Sequence, residues 1–394
     1  MDLRGISSTD IFIPTGQQSD LEGLANNALK SGIDLYMNKN YKAAAKEFKR
    51  SLGLAQNSPS AIDAANYMAD AYLKLDDTEG AIKAYKEAIR LNPYRDDVHT
   101  KLGNLYFSNA RYQEAKLEYQ EAVKINPSSN NHFSLGQAYL KTERYGDAER
   151  QFRKVQRLEP NSPNGNFGLG LALSKQGRHE DAIRQFKAAV GLKRDFYEAH
   201  VEIGYAFADM GLMERAREMV AFLEFEAPEM ADNLSGYMYK VDPPKFEFAY
   251  ATSTFSYYMP SRTPVSALDG YLKNADASKT LNMKFQFNKA MDRESVQNIF
   301  NWKIGRAAAT GPGQAYNFGL PLPDTETEIS LFPEHIYYDE EDRTATVYFT
   351  IRQNSTADGT IDPSHIEFKF SGKDIYGYSM DEDFDQFMGF SGVV

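Results

Sequence analysis

The first half of the chain repeats itself with a period near 34 residues, and this repetition limits the possible folds more than any other feature. Each of six units carries two small residues that lie twelve positions apart. The first is Gly32, Ala69, Gly103, Gly136, Gly170 and Gly204, and the second is Ala44, Ala81, Ala115, Ala148, Ala182 and Ala216. Small residues at a helix crossing let two helices approach closely. The period therefore predicts six helical hairpins that stack into a solenoid.

A bulky side chain follows the second small residue by four positions, which places both on one face of a helix. These residues are Phe48, Tyr85, Tyr119, Phe152, Phe186 and Val220. Four units close with Pro93, Pro127, Pro160 and Pro228, where a second helix would stop. The positions resemble the tetratricopeptide repeat over about residues 25–228. This resemblance implies a protein that holds another protein, and residues 229–240 are predicted to cap the array.

The pattern changes at Val241, where apolar and polar residues begin to alternate as they do in strands that cover a core. Such segments occupy 281–287, 345–351 and 366–370. The Lys289-Ala-Met-Asp that follows the first of them, and the later Lys373-Asp-x-x-Gly, resemble the bacterial Ig-like domain first known from S-layer proteins, over about residues 245–380.

The predicted fold class is α + β in two domains, an all-α solenoid of six hairpins followed by an all-β Ig-like sandwich. The predicted boundaries are an N-terminal extension over 1–24, the solenoid with its capping helix over 25–240, the sandwich over 241–380 and a C-terminal tail over 381–394.

Composition excludes several kinds of site and partner. The chain has no cysteine, so it has neither disulfides nor thiolate metal sites. Most of its formal charge of −11 lies in residues 241–394, which hold 22 acidic and 13 basic residues. An acidic surface repels phosphate backbones and anionic lipids, so neither nucleic acid nor a membrane surface is expected as a partner. No apolar run approaches the roughly 20 residues that cross a bilayer, so membrane insertion is not expected either.

The predicted location is cytoplasmic, because the start of the chain lacks the features of a signal peptide. Ig-like domains of the S-layer type usually lie outside the cell, however. Export by a non-classical route, or a place on the cell surface, therefore remains the alternative.

The predicted partner-binding groove is the inner face of the first helices. The repeat register places Asn66, Asp70, Asn104, Phe107, Phe133, Gln137, Phe167, Leu171 and Tyr205 on this face. Amide side chains suit the backbone of an extended peptide, and aromatic rings suit its apolar side chains. The alternative is that these rings pack against their own hairpins. Specificity for the acidic carboxyl tails of chaperones is not expected. Repeat proteins that bind such tails resemble one another in a lysine at the fifth position of the unit and an asparagine at the ninth. Here Asn104 fits this pattern, but Thr100 replaces the lysine.

Other candidate sites have simpler explanations. His99, His132 and His200 share the fourth position of their units, where a side chain usually fills the hairpin interior rather than holding a metal. The acidic runs 339–342 and 381–385 lack the spacing of an EF-hand loop, and the first is predicted to be a solvated hairpin turn; calcium is the alternative for both. Nucleophile-elbow, metalloprotease and kinase motifs are missing, so neither catalytic residues nor cofactors are expected.

Both termini carry apolar residues that suit docking on this chain or on a neighbour. They are Ile11, Phe12 and Ile13 near the start and Phe384, Phe387 and Phe390 near the end. The leading functional prediction is a non-enzymatic scaffold or adaptor that binds a peptide-like segment of a partner protein in the groove. The alternatives are a self-assembling subunit of a filament, lattice or appendage, which would be a homo-oligomer, and a cell-surface binding protein.

Overall fold

The chain folds as a helical solenoid followed by a sheet-containing region. The structure is a computed structural model that describes residues 15–55, 58–308 and 314–389. It divides into two compact units, Met1–Ser235 and Gly236–Val394, which we call the helical unit and the sheet unit. The predicted domain boundary after residue 240 lies slightly later in the chain than this division.

Helices account for most of the described residues up to 241. Their bounds are α1 Thr15–Met37, α2 Tyr41–Leu54, α3 Pro59–Leu73, α4 Thr78–Leu91, α5 Asp96–Ser108, α6 Tyr112–Ile125, α7 Ser129–Lys141, α8 Tyr145–Leu158, α9 Pro163–Ser174, α10 His179–Leu192, α11 Tyr197–Asp209, α12 Met213–Glu226 and α13 Pro228–Val241. The first helix begins before residue 25, where the solenoid was predicted to start. In the units with a terminal proline, the second helix ends two residues before that proline, as predicted.

Close approach through small residues holds each hairpin together, as the sequence predicts. A Cβ atom added to Gly103 would lie 2.6 Å from the ring of Tyr119, and one added to Gly170 would lie 2.5 Å from the ring of Phe186. The last unit differs, because a Cβ atom at Gly204 would lie 2.3 Å from Leu234 on α13. Helix α13 therefore packs against α11, the first helix of the last unit, and covers it.

The turn inside every hairpin contains one residue with positive φ, and this residue has the same repeat position in all six units. These residues are Lys39, Asp76, Ala110, Glu143, Gly177 and Gly211, with φ between 56° and 74°. A left-handed residue reverses the chain tightly after a helix, and glycine adopts this conformation without strain. Only the last two units use glycine, so the first four hold a side chain in an unfavourable backbone conformation.

The sheet unit contains short antiparallel sheets around one aromatic-rich core. Its strands are β1 Phe246–Ala249, β2 Thr263–Pro264, β3 Ser278–Phe287, β4 Trp302–Arg306, β5 His335–Asp339, β6 Thr344–Arg352, β7 Thr360–Ile361, β8 Ile366–Phe370 and β9 Gln386–Phe387, with a short helix α14 at Arg293–Gln297. The sheets have the orders β1-β3-β6-β5, β2-β7 and β4-β8-β9. The three predicted strands are confirmed as β3, β6 and β8, and the run 339–342 lies at the turn of the β5–β6 hairpin.

A buried ion pair joins the two sequence motifs that suggested the Ig-like resemblance. The Lys289 ammonium lies 2.8 Å from a carboxylate oxygen of Asp374, and both side chains are buried. Lys289 also donates to the carbonyls of Tyr239 and Asp242 at 2.7 Å each. A buried lysine needs such partners, because its charge would otherwise be removed from water without compensation.

Candidate partner-binding groove

The first helix of each hairpin lines the inner face of the helical unit. Contacts join α1 to α3, α5 to α7, α7 to α9 and α9 to α11, so successive first helices approach one another directly. A stack of hairpins curves toward the side on which its helices are closest. The nine predicted groove residues all lie on these helices, between α3 and α11. Asn104 is exposed, and the other eight are half-buried.

Tyrosines of the second helices hold two of the polar groove residues. Tyr85 donates to a carboxylate oxygen of Asp70 at 2.6 Å, and Tyr119 donates to the side-chain oxygen of Asn104 at 2.7 Å. Burial raises the pKa of both tyrosine hydroxyls, so they remain donors. Asp70 and Asn104 therefore accept hydrogen bonds from the second helices of their own hairpins and also face the inner surface.

A lysine that the sequence analysis overlooked connects two neighbouring repeats. Lys101 on α5 donates to the side-chain oxygen of Asn66 at 3.1 Å and to Asp70 at 3.4 Å, both on α3. Lys101 lies three residues before Asn104 and so shares its helix face. Its spacing from Asn104, which puts both side chains on one helix face, was the signal that could have revealed it.

The groove aromatics use part of their surface for packing within the repeat array. Phe133 lies 5.7 Å from the ring of Phe152 on α8. Phe167 lies 5.7 Å from Phe186 and 4.7 Å from Phe196. Phe107 makes an edge contact with Tyr112 at 5.2 Å. Each ring therefore packs on its neighbours and leaves part of its surface accessible.

Gln137, Leu171 and Tyr205 continue the same row on α7, α9 and α11. They share one repeat position with Asp70 and Asn104. Burial is the main cause that raises the pKa of Tyr205, and the nearby Glu202 raises it further. Amide, aliphatic and phenolic groups therefore follow one another along the floor of the groove.

The three histidines fill hairpin interiors, as the sequence predicts for their register. His99 and His132 are buried, and their Nδ1 atoms lie 2.7 Å from Glu118 and 2.8 Å from Gln151. His200 lies 4.5 Å from the ring of Phe222. Each histidine thus contacts the second helix of its own hairpin.

The predicted docking termini lie only partly within the described residues. Phe387 is buried in β9, which pairs with β8 of the same chain, so this residue docks on its own sheet unit. Phe384 is half-exposed, with the Lys245 ammonium 5.3 Å from its ring centre. Ile11, Phe12, Ile13 and Phe390 lie outside the described residues.

Comparison with known families agrees with the geometry of the hairpins. The tetratricopeptide repeat family matches residues 100–163, 133–194 and 167–221, and a second model of the repeat matches residues 69–110. Residues 69–221 are tetratricopeptide repeats. No helix of the described residues combines the length and apolar character needed to cross a bilayer.

Two curated proteins share short repeat segments with this chain. The small glutamine-rich tetratricopeptide repeat-containing protein 2 of Mycosarcoma maydis is 32% identical over 91 residues, which cover 23% of this chain and 25% of that protein. The U-box domain-containing protein 70 of Oryza sativa subsp. japonica is 39% identical over 71 residues, covering 18% of this chain and 9% of that protein. The chain thus spans a quarter or less of the length of these relatives.

Solved structures also contain similar tetratricopeptide arrays. A tetratricopeptide repeat protein from Parabacteroides merdae is 15% identical, covers 55% of this chain and 86% of its own length, and has a TM-score of 0.48. YrrB, a TPR protein described as having an unusual peptide-binding site, is 20% identical and covers 49% of this chain and 99% of its own, with a TM-score of 0.41. The assignment of the repeats rests on the family matches and on the hairpin geometry.

Proposed function

We propose that this protein is a non-enzymatic interaction scaffold that binds a peptide-like segment of a partner protein in the groove of its tetratricopeptide repeats. Tetratricopeptide repeat proteins are scaffolds for protein interaction, and the site here belongs to the repeat array. The observation that carries the proposal is the row of half-buried aromatic, amide and aliphatic side chains on successive first helices. Such a row offers anchors for apolar side chains beside donors and acceptors for a peptide backbone.

Gln137 and Leu171 give a direct test of this proposal. We expect Gln137→Ala/Leu171→Ala to lose a partner that the unaltered protein captures from cells of its native organism, because both side chains form the groove floor. A matched control is Gln113→Ala/Leu117→Ala, which removes the same residue types from exposed positions on the second helix α6. Affinity capture with quantitative mass spectrometry compares the three proteins. Equal capture by the groove variant, with its helical circular dichroism intact, contradicts the proposal.

We further propose that residues 245–380 form an Ig-like sandwich of the S-layer type, which supplies a second contact of the scaffold. Two observations support this assignment. The four-stranded and three-stranded sheets share one core around the buried Trp302. In addition, the family-like motifs meet through the Lys289–Asp374 ion pair. An experimental structure in which these sheets do not face each other across Trp302 would contradict the assignment.

A second candidate function is self-assembly through the sheet unit. Large apolar side chains are exposed on it, including Tyr258 at 71%, Phe300 at 69% and Tyr337 at 57%. Exposed apolar groups of this size favour association when they form a patch. Sedimentation and light scattering test this candidate, since a protein that stays monomeric up to its solubility limit does not self-assemble.

A further inference from the structure

Two neighbouring first helices carry the same ordered stripe of side chains along the groove. On α7 the stripe is Phe133, Gln137 and Lys141, and on α9 it is Phe167 and Leu171, followed by Lys175 at the C-cap position just after the helix. Residues four apart lie one above the other on a helix face, so each stripe runs from an aromatic ring to an ammonium group. The two stripes therefore form an aromatic row and a lysine row on either side of a floor made by Gln137 and Leu171.

The charge of this part of the groove contrasts with that of the whole chain. The sequences of α7 and α9 contain no aspartate or glutamate, although the chain has 55 of them. Lys141 and Lys175 are both exposed. The flanking first helices differ, because Asp96 and Asp97 lie in the first turn of α5 and because Glu202 and Asp209 lie on α11. The lysine row is thus a local basic edge between two acidic neighbours.

We propose that the groove of α7 and α9 binds an extended segment in which apolar and acidic residues alternate. This inference rests on the proposed peptide-binding function and specifies the chemistry of its ligand. Successive side chains of an extended chain point to opposite sides. A segment that crosses both helices along the floor directs one set of side chains to Phe133 and Phe167, and the other set to Lys141 and Lys175. Apolar side chains complement the first row and carboxylates complement the second.

Selection from a random peptide library displayed on phage tests this inference with the full-length protein. We expect the selected peptides to alternate apolar residues with Asp or Glu. Replacing the acidic residues of the best peptide by Asn or Gln should weaken its binding about fivefold, because two exposed charge pairs are lost. This difference should shrink as salt is added.

A charge-reversed protein and a matched control complete the experiment. Lys141→Glu/Lys175→Glu should remove the preference for acidic peptides. Lys154→Glu/Lys187→Glu, which makes the same change at exposed positions on the second helices α8 and α10, should keep it. Selected peptides without an acidic preference, or with one that Lys141→Glu/Lys175→Glu leaves unchanged, overturn the inference while the groove function stands. If the unaltered protein retains no peptide above background, the groove function itself is overturned, and this inference with it.

Discussion

At the scale of single residues, packing around the ring of Phe152 determines how closely α7, α8 and α9 approach. A Cβ atom added to Gly136 on α7 would lie 2.8 Å from this ring, and one added to Gly168 on α9 would lie 2.3 Å from it. Phe152 is fully buried, so its ring has little room to move away. We expect Gly168→Ala to lower the free energy of unfolding of the helical unit by about 1–3 kcal/mol, measured by urea unfolding with helical circular dichroism.

The control for this prediction is Gly191→Ala in α10. No other atom lies within 4 Å of a Cβ atom at Gly191, so alanine only improves helix propensity there. We expect this change to raise the free energy of unfolding by about 0.5–1 kcal/mol. Equal effects of the two substitutions would show that close packing against Phe152 is not what requires glycine.

The pKa values of two histidines at one repeat position are shifted in opposite directions because their neighbours differ. The hydrogen bond to Glu118 raises the pKa of His99, and Glu121 adds to this effect. Burial lowers the pKa of His132, which bonds to the neutral Gln151. The His99 contribution to stability is therefore complete below the ordinary pKa of 6.5 and is lost as pH rises through the raised value. The His132 contribution is present above the ordinary pKa and is lost as pH falls through the lowered value.

Exchanging these neighbours should exchange the pH response. We expect Glu118→Gln to lower the pKa of His99 and to reduce the stability lost as pH rises above the ordinary pKa of 6.5. Gln151→Glu should raise the pKa of His132 and introduce such a loss. Histidine NMR titrations give the pKa values, and thermal unfolding gives the stabilities. A His99 pKa that does not change in Glu118→Gln contradicts the assignment of Glu118 as the cause.

At the scale of the hairpin, the left-handed turn residue is a source of strain in the first four units. Ala110 has φ 57°, a conformation that costs an alanine about 1–2 kcal/mol. We expect Ala110→Gly to stabilise the helical unit by about 0.5–1 kcal/mol after the greater chain entropy of glycine is included. Gly177→Ala, at the same position of a later unit, should destabilise it by a similar amount. Urea midpoints that move in the same direction for both variants would contradict this explanation.

The hairpins and the groove register follow from the sequence because small residues recur where helices must touch. For example, Gly103 and Ala115 mark the crossing of α5 and α6, and these two residues lie only twelve positions apart in the chain. The side-chain partners were not predictable in this way, since register fixes the helix face but not the direction of a long side chain. Thus the sequence placed Asn104 in the groove without showing that Tyr119 binds it. Alternation similarly predicted β3 and β6, whereas the two-residue strand at Phe387 is too short to show a period.

At the scale of the whole molecule, the two units carry separate spectroscopic signals, which makes the buried Lys289–Asp374 pair testable. Trp302 is the single tryptophan of the chain and is buried in the sheet unit, so its fluorescence reports on that unit. Helical circular dichroism reports mainly on the helical unit, where most of the described helices lie. Lys289→Met leaves the Asp374 carboxylate buried without its counter-charge. We expect this change to destabilise the sheet unit by about 3–5 kcal/mol, seen as a lower urea midpoint of Trp302 fluorescence.

The double variant Lys289→Met/Asp374→Leu distinguishes the lost charge pairing from lost packing. It removes both charges, so no unpaired carboxylate remains, and we expect it to recover much of the stability that Lys289→Met loses. Recovery should be incomplete, because the carbonyls of Tyr239 and Asp242 still lose the donor that Lys289 supplies, and the N–H groups of Tyr376 and Tyr378 lose the acceptor that Asp374 supplies. If the double variant is as unstable as Lys289→Met, the hydrogen bonds of Lys289 and Asp374 with the backbone stabilise the sheet unit more than the pairing of their charges.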